Sequence, residues 1–562
     1  MKQYNNTEDI VWDRTNIGEN YPGTTLPFTY SFIKDAYSRV YEQFLLRLGV
    51  DKEKIEQNKM ALDNMLGYVK GHVFYNIENW YTFLKFLPGY KFNKKFFEAM
   101  LDPVKKKVGE EEVNDISFLD SLKIIFRFSI SLLFFGRLHK YFESQFSKIS
   151  LNFYKKRLPL LNNFELVDLF QTTERKFFNI WAITIINDFK VMIFFGLLSK
   201  YAEKFKGKSQ EIMKGMYSLK NQPRSVLPLK EIFKITSTIK SNKEYSKLFL
   251  KNSLSILESL KDPKYSSING LIKDYLDEFG ERSSNELKLE EPKFKESPIS
   301  FINLIKTYTS LKDEEVKRLS SNLNINKESI VSNSYSLKDR VILNYLKSIT
   351  ITGIYQREYY RMRRGKAFNM AREIILLLGE RLSNSNELDE PKDVFYLHKY
   401  EVFDYVRFQT LAYDFKTTVK TRKEMFSKYK RENLPRRITT RGFPSDENFN
   451  DQLNPKTKYL SGQATSRGKA EGLAIVMENL DLTADYKGKI LVTTATDPGW
   501  TIIFPLLKGI ITEHGGVLSH ASIIARELGI PCIVKVNDAV KIIKTGQKIE
   551  IDANIGQVKF IN

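Results

Sequence analysis

The pattern of apolar positions changes along the chain. Over roughly the first 430 residues, apolar side chains recur at helical spacing, and the stretches Lys123 to Lys140 and Lys176 to Lys200 are apolar almost throughout. Apolar stretches of this kind, interrupted by occasional charges, predict helices buried in a large bundle. After residue 460 the apolar residues come in short β-branched runs separated by Gly, Asp and Pro, which predict strands and tight turns.

The C-terminal part is predicted to form a small α/β domain. Its predicted strands are 473–477, 490–494, 509–512, 532–536 and 548–552. Between the third and fourth strands, HASIIAREL predicts a helix that begins near Ser519 or His520 and ends at Gly529, which Pro531 follows. The predicted fold class is therefore multi-domain, with a large, mostly α-helical domain followed by a small α/β domain.

Glycine and proline usage suggests where the domains divide. Eleven of the 28 glycines lie between residues 460 and 562. The segment before them is rich in proline and polar residues, as linkers are. We predict a helical domain over 1–435 with a weaker break near 282–298, a linker over 436–459, and an α/β domain over 460–562. The segment 30–350 contains no convincing motif.

Composition limits the function classes. Lys and Arg exceed Asp and Glu by 21, and the C-terminal domain carries only +1 of that excess. Because the bases alternate with acids and aromatics, we favour a solvated surface and do not expect nucleic-acid binding. A single cysteine, Cys532, excludes a disulfide framework and a cysteine-based metal cluster, and we predict no metal site. No signal peptide or membrane span is expected, which points to the cytoplasm and to no membrane partner.

One histidine stands where a helix could hold a phosphate. His520 follows GGVLS at the predicted helix start, where unpaired N–H groups and the helix dipole favour anions. Gly515 and Gly516 allow close backbone approach, and Ser519 could cap the helix or contact a phosphoryl oxygen. An imidazole here could act as a nucleophile and carry a phosphoryl group. On these grounds alone, a lone histidine at a helix start is more often structural.

The motifs of the C-terminal domain resemble the swivelling phosphohistidine domain of the enzymes that use phosphoenolpyruvate (PEP). The matching segments are L-x-G-x-x-x-S-x-G from Leu460, TDPGW from Thr496, GGVLSHASIIARELGIPCIV from Gly515, and D-x-x-x-G from Asp552. The resemblance implies that His520 becomes phosphorylated. It also implies phosphate contacts, which we assign to Gly515, Gly516, Ser519, Ala521 and Arg526. Arg526 could instead anchor the domain, and Ser522 stands where alanine is common.

Weaker similarities extend to the helical part. NIGENYPGTTLPF from Asn16 and QREYYRMRRGKAF from Gln356 resemble the acceptor-side domain of the same family. They suggest Arg357, Glu358 and Arg361 as acceptor-side residues, although an ion-paired helix surface is the more common explanation for such residues and for Arg372. A proton role is a minor alternative for His514. The remaining histidines, His72, His139 and His398, are interpreted as structural.

The family resemblance implies a divided enzyme. Full-length members begin with an ATP-grasp domain, yet only 15 residues precede Asn16, and no P-loop motif is present. We therefore expect no cofactor on this chain, and ATP with Mg²⁺ on a separate ATP-grasp subunit. The predicted activity is phosphoryl transfer through His520 to a hydroxyl of a small organic acceptor. The alternatives are a phosphocarrier or regulatory module, and a basic nucleic-acid-binding protein with an inactive histidine domain.

Overall fold

In the computed structural model of the chain, the described residues are 9–86, 118–205, 227–282, 285–316, 336–408, 413–432, 434–441, 459–517 and 519–561. They form two compact units. The first comprises Met1–Lys190, Leu287–Glu290 and Ala367–Leu453, and the second comprises Val191–Glu286, Glu291–Lys366 and Asn454–Asn562. The predicted domain division, with its linker over 436–459, concerns which segments fold and move independently. It stays a prediction.

The first unit is helical around a small sheet. Four strands, β1 (Asp9–Asp13), β2 (Leu66–Val69), β3 (His72–Asn76) and β4 (Arg437–Arg441), pair antiparallel in the order β2-β3-β1-β4. The helices of this unit are Ile17–Asn20, Pro27–Leu48, Lys52–Gln57, Lys59–Asp63, Ile77–Lys85, Phe118–Leu133, Phe135–Tyr154, Lys399–Phe408 and Phe415–Tyr429. Strand β4 lies in the segment predicted as linker, whose residues 442–458 are outside the described part of the chain.

Aromatic rings fill the core of the first unit. Phe28 is fully buried and meets the rings of Phe170, Phe395 and Phe403 edge-on, with centroid separations of 6.3, 6.4 and 6.3 Å. Such edge-to-face contacts add to the burial of apolar area. This arrangement supports core packing as the main role of the many phenylalanines.

The prediction that Lys123 to Lys140 is a buried helix is wrong in two respects. The segment is divided between the helices Phe118–Leu133 and Phe135–Tyr154, and much of its apolar surface is exposed. Phe126 is 66% exposed and Leu133 is 77% exposed, whereas Ile124 and Phe135 are buried. Only one face of each helix packs against the rest of the protein. A high apolar content therefore did not indicate that every face of the helix is buried.

Two long helices contribute to both units. Asn163–Ala202 has 40 residues and Leu337–Asn384 has 48. Among the described helices, Asn163–Ala202 is long and apolar enough to cross a membrane, and 44% of its most apolar window is buried inside the protein. The sequence predicts no membrane span because its uncharged runs are too short. In this helix, Asp188 and Lys190 interrupt the apolar run.

The second unit combines helices with a large sheet. Its helices before the sheet are Leu227–Ser241, Lys243–Phe249, Ser253–Ser259, Ser266–Phe279 and Pro298–Thr309. The sheet strands are β5 (Tyr459–Ser461), β6 (Gln463–Ser466), β7 (Lys469–Val476), β8 (Ile490–Thr493), β9 (Gly509–Thr512), β10 (Cys532–Val534), β11 (Lys548–Asp552) and β12 (Gln557–Phe560). The strand order is β5-β12-β11-β7-β8-β9-β10-β6, and the four strands β7 to β10 pair in parallel.

The sheet of the second unit is covered on both faces. One face packs on a cluster around Ile490, Val492 and Ile551, with the helix Ala539–Ile542. The other face joins the helix His520–Leu528 and the 3₁₀ segment Pro498–Leu506 to the helices of residues 227–316 in one apolar cluster. The five predicted strands and the predicted helix are present, and the predicted fold class is confirmed.

Candidate functional site

His520 is the first residue of the helix His520–Leu528, as expected. Ser519 occupies the N-cap position with extended backbone, but its hydroxyl donates to Ser522 Oγ at 3.0 Å and caps no backbone N–H. Ser522 in turn donates to the carbonyl oxygen of Gly516 at 2.7 Å. The unusual serine at position 522 therefore ties the loop that contains Gly515 and Gly516, the glycine loop, to the first turn of the helix.

The glycine loop leaves room beside the helix start. Gly515 has a φ of +119°, a conformation that favours glycine. A Cβ atom on Gly516 would meet nothing within 4 Å, so packing does not demand glycine there. Ala521, in the first turn, is buried. Phosphate binding by these residues stays a prediction.

Arg526 lies against backbone in this structure. Its Nε donates to the carbonyl oxygen of Thr465 at 2.6 Å, and its second amino group donates to the carbonyl oxygen of Val517. These bonds link the histidine helix to β6 and to the glycine loop. They match the anchoring alternative, and a phosphate contact by Arg526 stays a prediction.

The imidazole of His520 is enclosed and contacted at both nitrogens. Nε2 lies 2.9 Å from Thr501 Oγ1, and Nδ1 lies 3.7 Å from Glu358 Oε2. The side chain of His520 is 0% exposed and that of Glu358 is 3% exposed. Glu358 belongs to the long helix Leu337–Asn384, and both residues lie in the second unit. The structure thus brings a predicted acceptor-side residue to the predicted phosphohistidine.

Two predicted arginines act on the same carboxylate. Arg361 lies one helical turn after Glu358, with 3.6 Å between its guanidinium and Glu358 Oε1. The positive charge of Arg357 also favours the carboxylate form of Glu358. Burial acts to raise the pKa of Glu358, but His520 and Arg361 outweigh it and lower this pKa to about 2. The acid is therefore ionised at neutral pH.

The histidine itself is held in its neutral form. Burial lowers the pKa of His520 below its ordinary value of 6.5, and Glu358 opposes that shift only in part. A neutral imidazole has a free lone pair and can act as a nucleophile. A carboxylate beside Nδ1 favours the proton on that nitrogen, which leaves the lone pair on Nε2.

A pair of acids, Asp497 and Glu286, also lies in the second unit. Asp497 accepts hydrogen bonds from the backbone N–H groups of Gly499 at 2.9 Å and Glu286 at 3.0 Å. Burial and the nearby carboxylate of Glu286 raise the pKa of Asp497 well above its ordinary value. Arg282 donates to the carbonyl oxygen of Pro498 at 3.3 Å. The TDPGW motif therefore holds Arg282 and Glu286 beside the histidine domain.

Sequence reasoning missed Thr501, Asp497 and Glu286 as neighbours of the site. Asp497 lies inside the TDPGW motif and Thr501 follows it directly, so the motif was the available signal. Nothing in the local sequence marks Glu286.

The other candidates lie elsewhere. His514 follows β9 and is buried, as a strand-end residue would be. Arg372 belongs to the first unit, where its guanidinium donates to the carbonyl oxygen of Leu289 and lies 5.3 Å from the ring centroid of Phe395. No group of three or more His, Cys, Asp or Glu within the described residues could hold a metal ion.

Two family profiles match segments of the chain. The profile described as PEP-utilising enzyme, mobile domain, matches residues 485–556, which contain the histidine helix and the TDPGW segment. The profile described as rifampicin phosphotransferase fourth domain matches residues 186–337.

Curated relatives agree with these profiles. The rifampicin phosphotransferase of Bacillus subtilis is 28% identical over 313 residues, covering 52% of this chain and 35% of that protein. The enzyme of the same name from Bacillus cereus is 29% identical over 309 residues, covering 52% and 34%. A probable phosphoenolpyruvate synthase of Methanothermobacter thermautotrophicus is 38% identical over 124 residues, covering 22% and 18%. The chain spans about a third of the length of the first two relatives.

Proposed function

The chain carries the mobile domain of the PEP-utilising enzymes, and from this premise we propose that it is a phosphotransferase that works through phosphohistidine at position 520. It receives a phosphoryl group that originates from ATP and passes it to a hydroxyl group of a small organic acceptor. The observation that carries the proposal is the contact of the enclosed His520 with Glu358, a residue of the helical part, at 3.7 Å.

The first step forms a phosphorus–nitrogen bond. A lone pair of the neutral imidazole attacks the β-phosphorus of ATP, and the bond from that phosphorus to the oxygen bridging the α-phosphate breaks. Hydrolysis then releases the γ-phosphate. With an acceptor alcohol ROH, the overall balance is ATP, water and ROH giving AMP, phosphate and the phosphate ester of ROH. Positioning and charge stabilisation supply most of the catalysis in such transfers.

The second step depends on a proton at Nδ1. When the acceptor oxygen attacks phosphorus, the bond to Nε2 breaks, the electron pair returns to the ring, and the hydroxyl proton of the acceptor passes to water. The ring leaves as neutral imidazole if Nδ1 is protonated and as the much poorer leaving group imidazolate if it is not. Glu358 is well placed to hold that proton, and Arg361 and Arg357 supply positive charge close to the phosphoryl group.

The phosphoryl donor and the acceptor bind at different places in the proposed enzyme. We propose a separate ATP-grasp subunit, with Mg²⁺, that phosphorylates His520 when the histidine domain moves away from Glu358. The acceptor is a small organic molecule and the compartment is the cytoplasm. The helical domain binds the acceptor, and its wealth of aromatic rings suits an organic molecule.

A phosphocarrier or regulatory module is the second candidate. The contact between His520 and Glu358 is also compatible with a domain that stores a phosphoryl group without acceptor chemistry. The third candidate, a nucleic-acid-binding protein with an inactive histidine domain, rests on the net charge of +21.

Phosphoryl transfer from ATP labelled at the β-phosphate tests the proposal. The wild-type chain and His520→Ala are incubated alone and with candidate ATP-grasp proteins. We expect acid-labile, alkali-stable label on the wild type only, and only with a partner. The labelled chain is then chased with hydroxyl compounds, and loss of label to one of them identifies the acceptor.

The outcomes separate the candidates. Label that forms on His520 but passes to no hydroxyl compound favours the phosphocarrier. Absence of label with every partner contradicts both phosphoryl-transfer readings. Steeply salt-dependent binding of RNA or DNA would then favour the third candidate.

A further inference from the structure

The turn between two helices of the first unit combines basic and apolar side chains. Lys155, Lys156 and Arg157 follow one another at the end of the helix Phe135–Tyr154 and are exposed. Within the part of the chain that the structure describes, none of the three makes an ion pair. Exposed apolar residues flank them, with Leu151 at 61% and Leu160 at 74% exposure. Single exposed leucines are common, but here they adjoin three unpaired charges.

The turn is held in one shape. Residues Leu158–Leu160 form a 3₁₀ turn, and the next helix begins with a reciprocal capping box. In that box Asn162 N–H donates to Glu165 at 2.8 Å, and Glu165 N–H donates to Asn162 Oδ1 at 2.9 Å. Arg381 donates to the carbonyl oxygen of Pro159 at 3.1 Å. The side chains therefore surround a preformed surface, which lowers the entropy lost on binding.

A groove of about 520 Å³ opens at this turn, and its lining is mostly apolar. Phe153, Tyr154 and Leu160 contribute rings and methyl groups, while Lys156 and Arg157 bring positive charge to the same lining. The carboxylate in the lining is Glu373, which accepts a hydrogen bond from Asn369 at 2.9 Å. Positive charge thus exceeds negative charge around an apolar groove of a size that holds small ligands.

We propose that this groove binds an anionic amphiphile. The apolar chain of the ligand lies against Phe153 and Leu160, and its anionic head group meets Lys156 and Arg157. The ligand could be free in solution or could be a lipid at the surface of an anionic bilayer, since the two present the same chemistry. A peripheral contact of this kind needs no membrane-spanning helix. The proposal is independent of the phosphotransfer reaction.

Binding of monododecyl phosphate, below its micelle concentration, tests the groove. The full chain is titrated calorimetrically, with inorganic phosphate as competitor. One variant removes three charges at the turn (Lys155→Gln, Lys156→Gln and Arg157→Gln). A matched control removes three exposed, unpaired lysine charges elsewhere (Lys52→Gln, Lys261→Gln and Lys273→Gln). A third variant, Leu160→Ser, alters only the apolar side.

We expect one saturable site on the wild type and on the control. At about fivefold per basic residue, the turn variant should bind roughly 100-fold more weakly. Leu160→Ser should bind about tenfold more weakly, and inorganic phosphate should compete poorly. Equal losses in the turn variant and the control, or full competition by phosphate, would overturn the proposal.

Vesicles distinguish the two sources of the ligand. Co-sedimentation with phosphatidylglycerol vesicles, but not with phosphatidylcholine vesicles, and its loss in the turn variant, would assign the groove to a membrane lipid. Binding of dodecyl phosphate without co-sedimentation would assign it to a free amphiphile. Salt-sensitive RNA binding lost in the turn variant, without amphiphile binding, would contradict the proposal.

Discussion

The neutral substitution Glu358→Gln probes the proton on the phosphorylated ring. Glutamine keeps the shape of the side chain but removes the charge that lies 3.7 Å from Nδ1 of His520. Without that charge, the phosphorylated ring loses its Nδ1 proton at lower pH, and less of it can leave as neutral imidazole. We expect phosphohistidine to form normally in the variant and to transfer its phosphoryl group more slowly at neutral pH.

The structure sets the size of the effect. Two unit charges 3.7 Å apart attract each other by about 4.5 kcal/mol at an effective dielectric constant of about 20. Arg361 lies 3.6 Å from the same carboxylate and offsets part of this attraction. We therefore expect about 2 kcal/mol, which lowers the Nδ1 pKa of the phosphorylated ring by about 1.5 units and slows transfer about 30-fold at pH values above the pKa of both proteins.

The assay needs neither the ATP-binding partner nor the natural acceptor. Phosphoramidate phosphorylates the histidine chemically, and ³¹P NMR follows loss of the phosphoryl group to excess glycerol between pH 5 and 9. His520→Ala identifies the signal, and Glu471→Gln, an exposed acid of the same domain paired with Lys548, is the matched control. Superimposable pH profiles for wild type and Glu358→Gln would refute the reasoning.

Three further predictions concern the fold and the imidazole. Gly556→Ala should destabilise the protein by about 2 kcal/mol or more, measured by urea unfolding, because φ is +75° and a Cβ would lie 2.3 Å from the carbonyl oxygen of Gly462. Gly529→Ala is the control, since its φ is +70° but its Cβ would lie in open space, and it should lose less stability. Equal losses of stability would contradict the clash at Gly556. Burial lowers the pKa of His72 to about 3, so the folded state binds fewer protons than the unfolded state and stability falls as pH drops from about 6.5 towards 3. The loss of stability between pH 7 and 5 should therefore be about 2 kcal/mol smaller in His72→Gln than in wild type, and an unchanged loss would contradict the assignment. Thr501→Val removes the hydroxyl beside imidazole Nε2 and should lower labelling from ATP about tenfold at a temperature where the variant is fully folded. Unchanged labelling would show that the contact does not orient the ring.

Local patterns predicted the C-terminal domain well. Strands β7 to β11 and the helix His520–Leu528 each follow from fewer than ten consecutive residues, since period and turn residues act at short range. Strands β5, β6 and β12 were not predicted because they are short and contain few β-branched residues. Strand β1 pairs with β4, which lies more than 400 residues away, and no local pattern carries such a pairing.

The site was predictable only in part for the same reason. The motif around His520 marked the predicted nucleophile, and the family resemblance suggested Glu358. The contact of the two residues depends on how a helix of the central chain packs on the C-terminal domain, and their 162-residue separation hides it from any local pattern. The exposure of the helix Phe118–Leu133 was mispredicted because apolar content does not show which faces of a helix pack against other elements.

The enclosure of His520 also bears on wasteful turnover. A phosphoryl group on an imidazole is reactive towards water, so an accessible phosphohistidine would hydrolyse and consume ATP without product. Here the imidazole is 0% exposed, with Thr501 at one nitrogen and Glu358 at the other. In this position, the neighbouring side chains limit the access of water to the ring. In the proposed reaction, the same packing that orients the ring would couple the consumption of ATP to the presence of an acceptor.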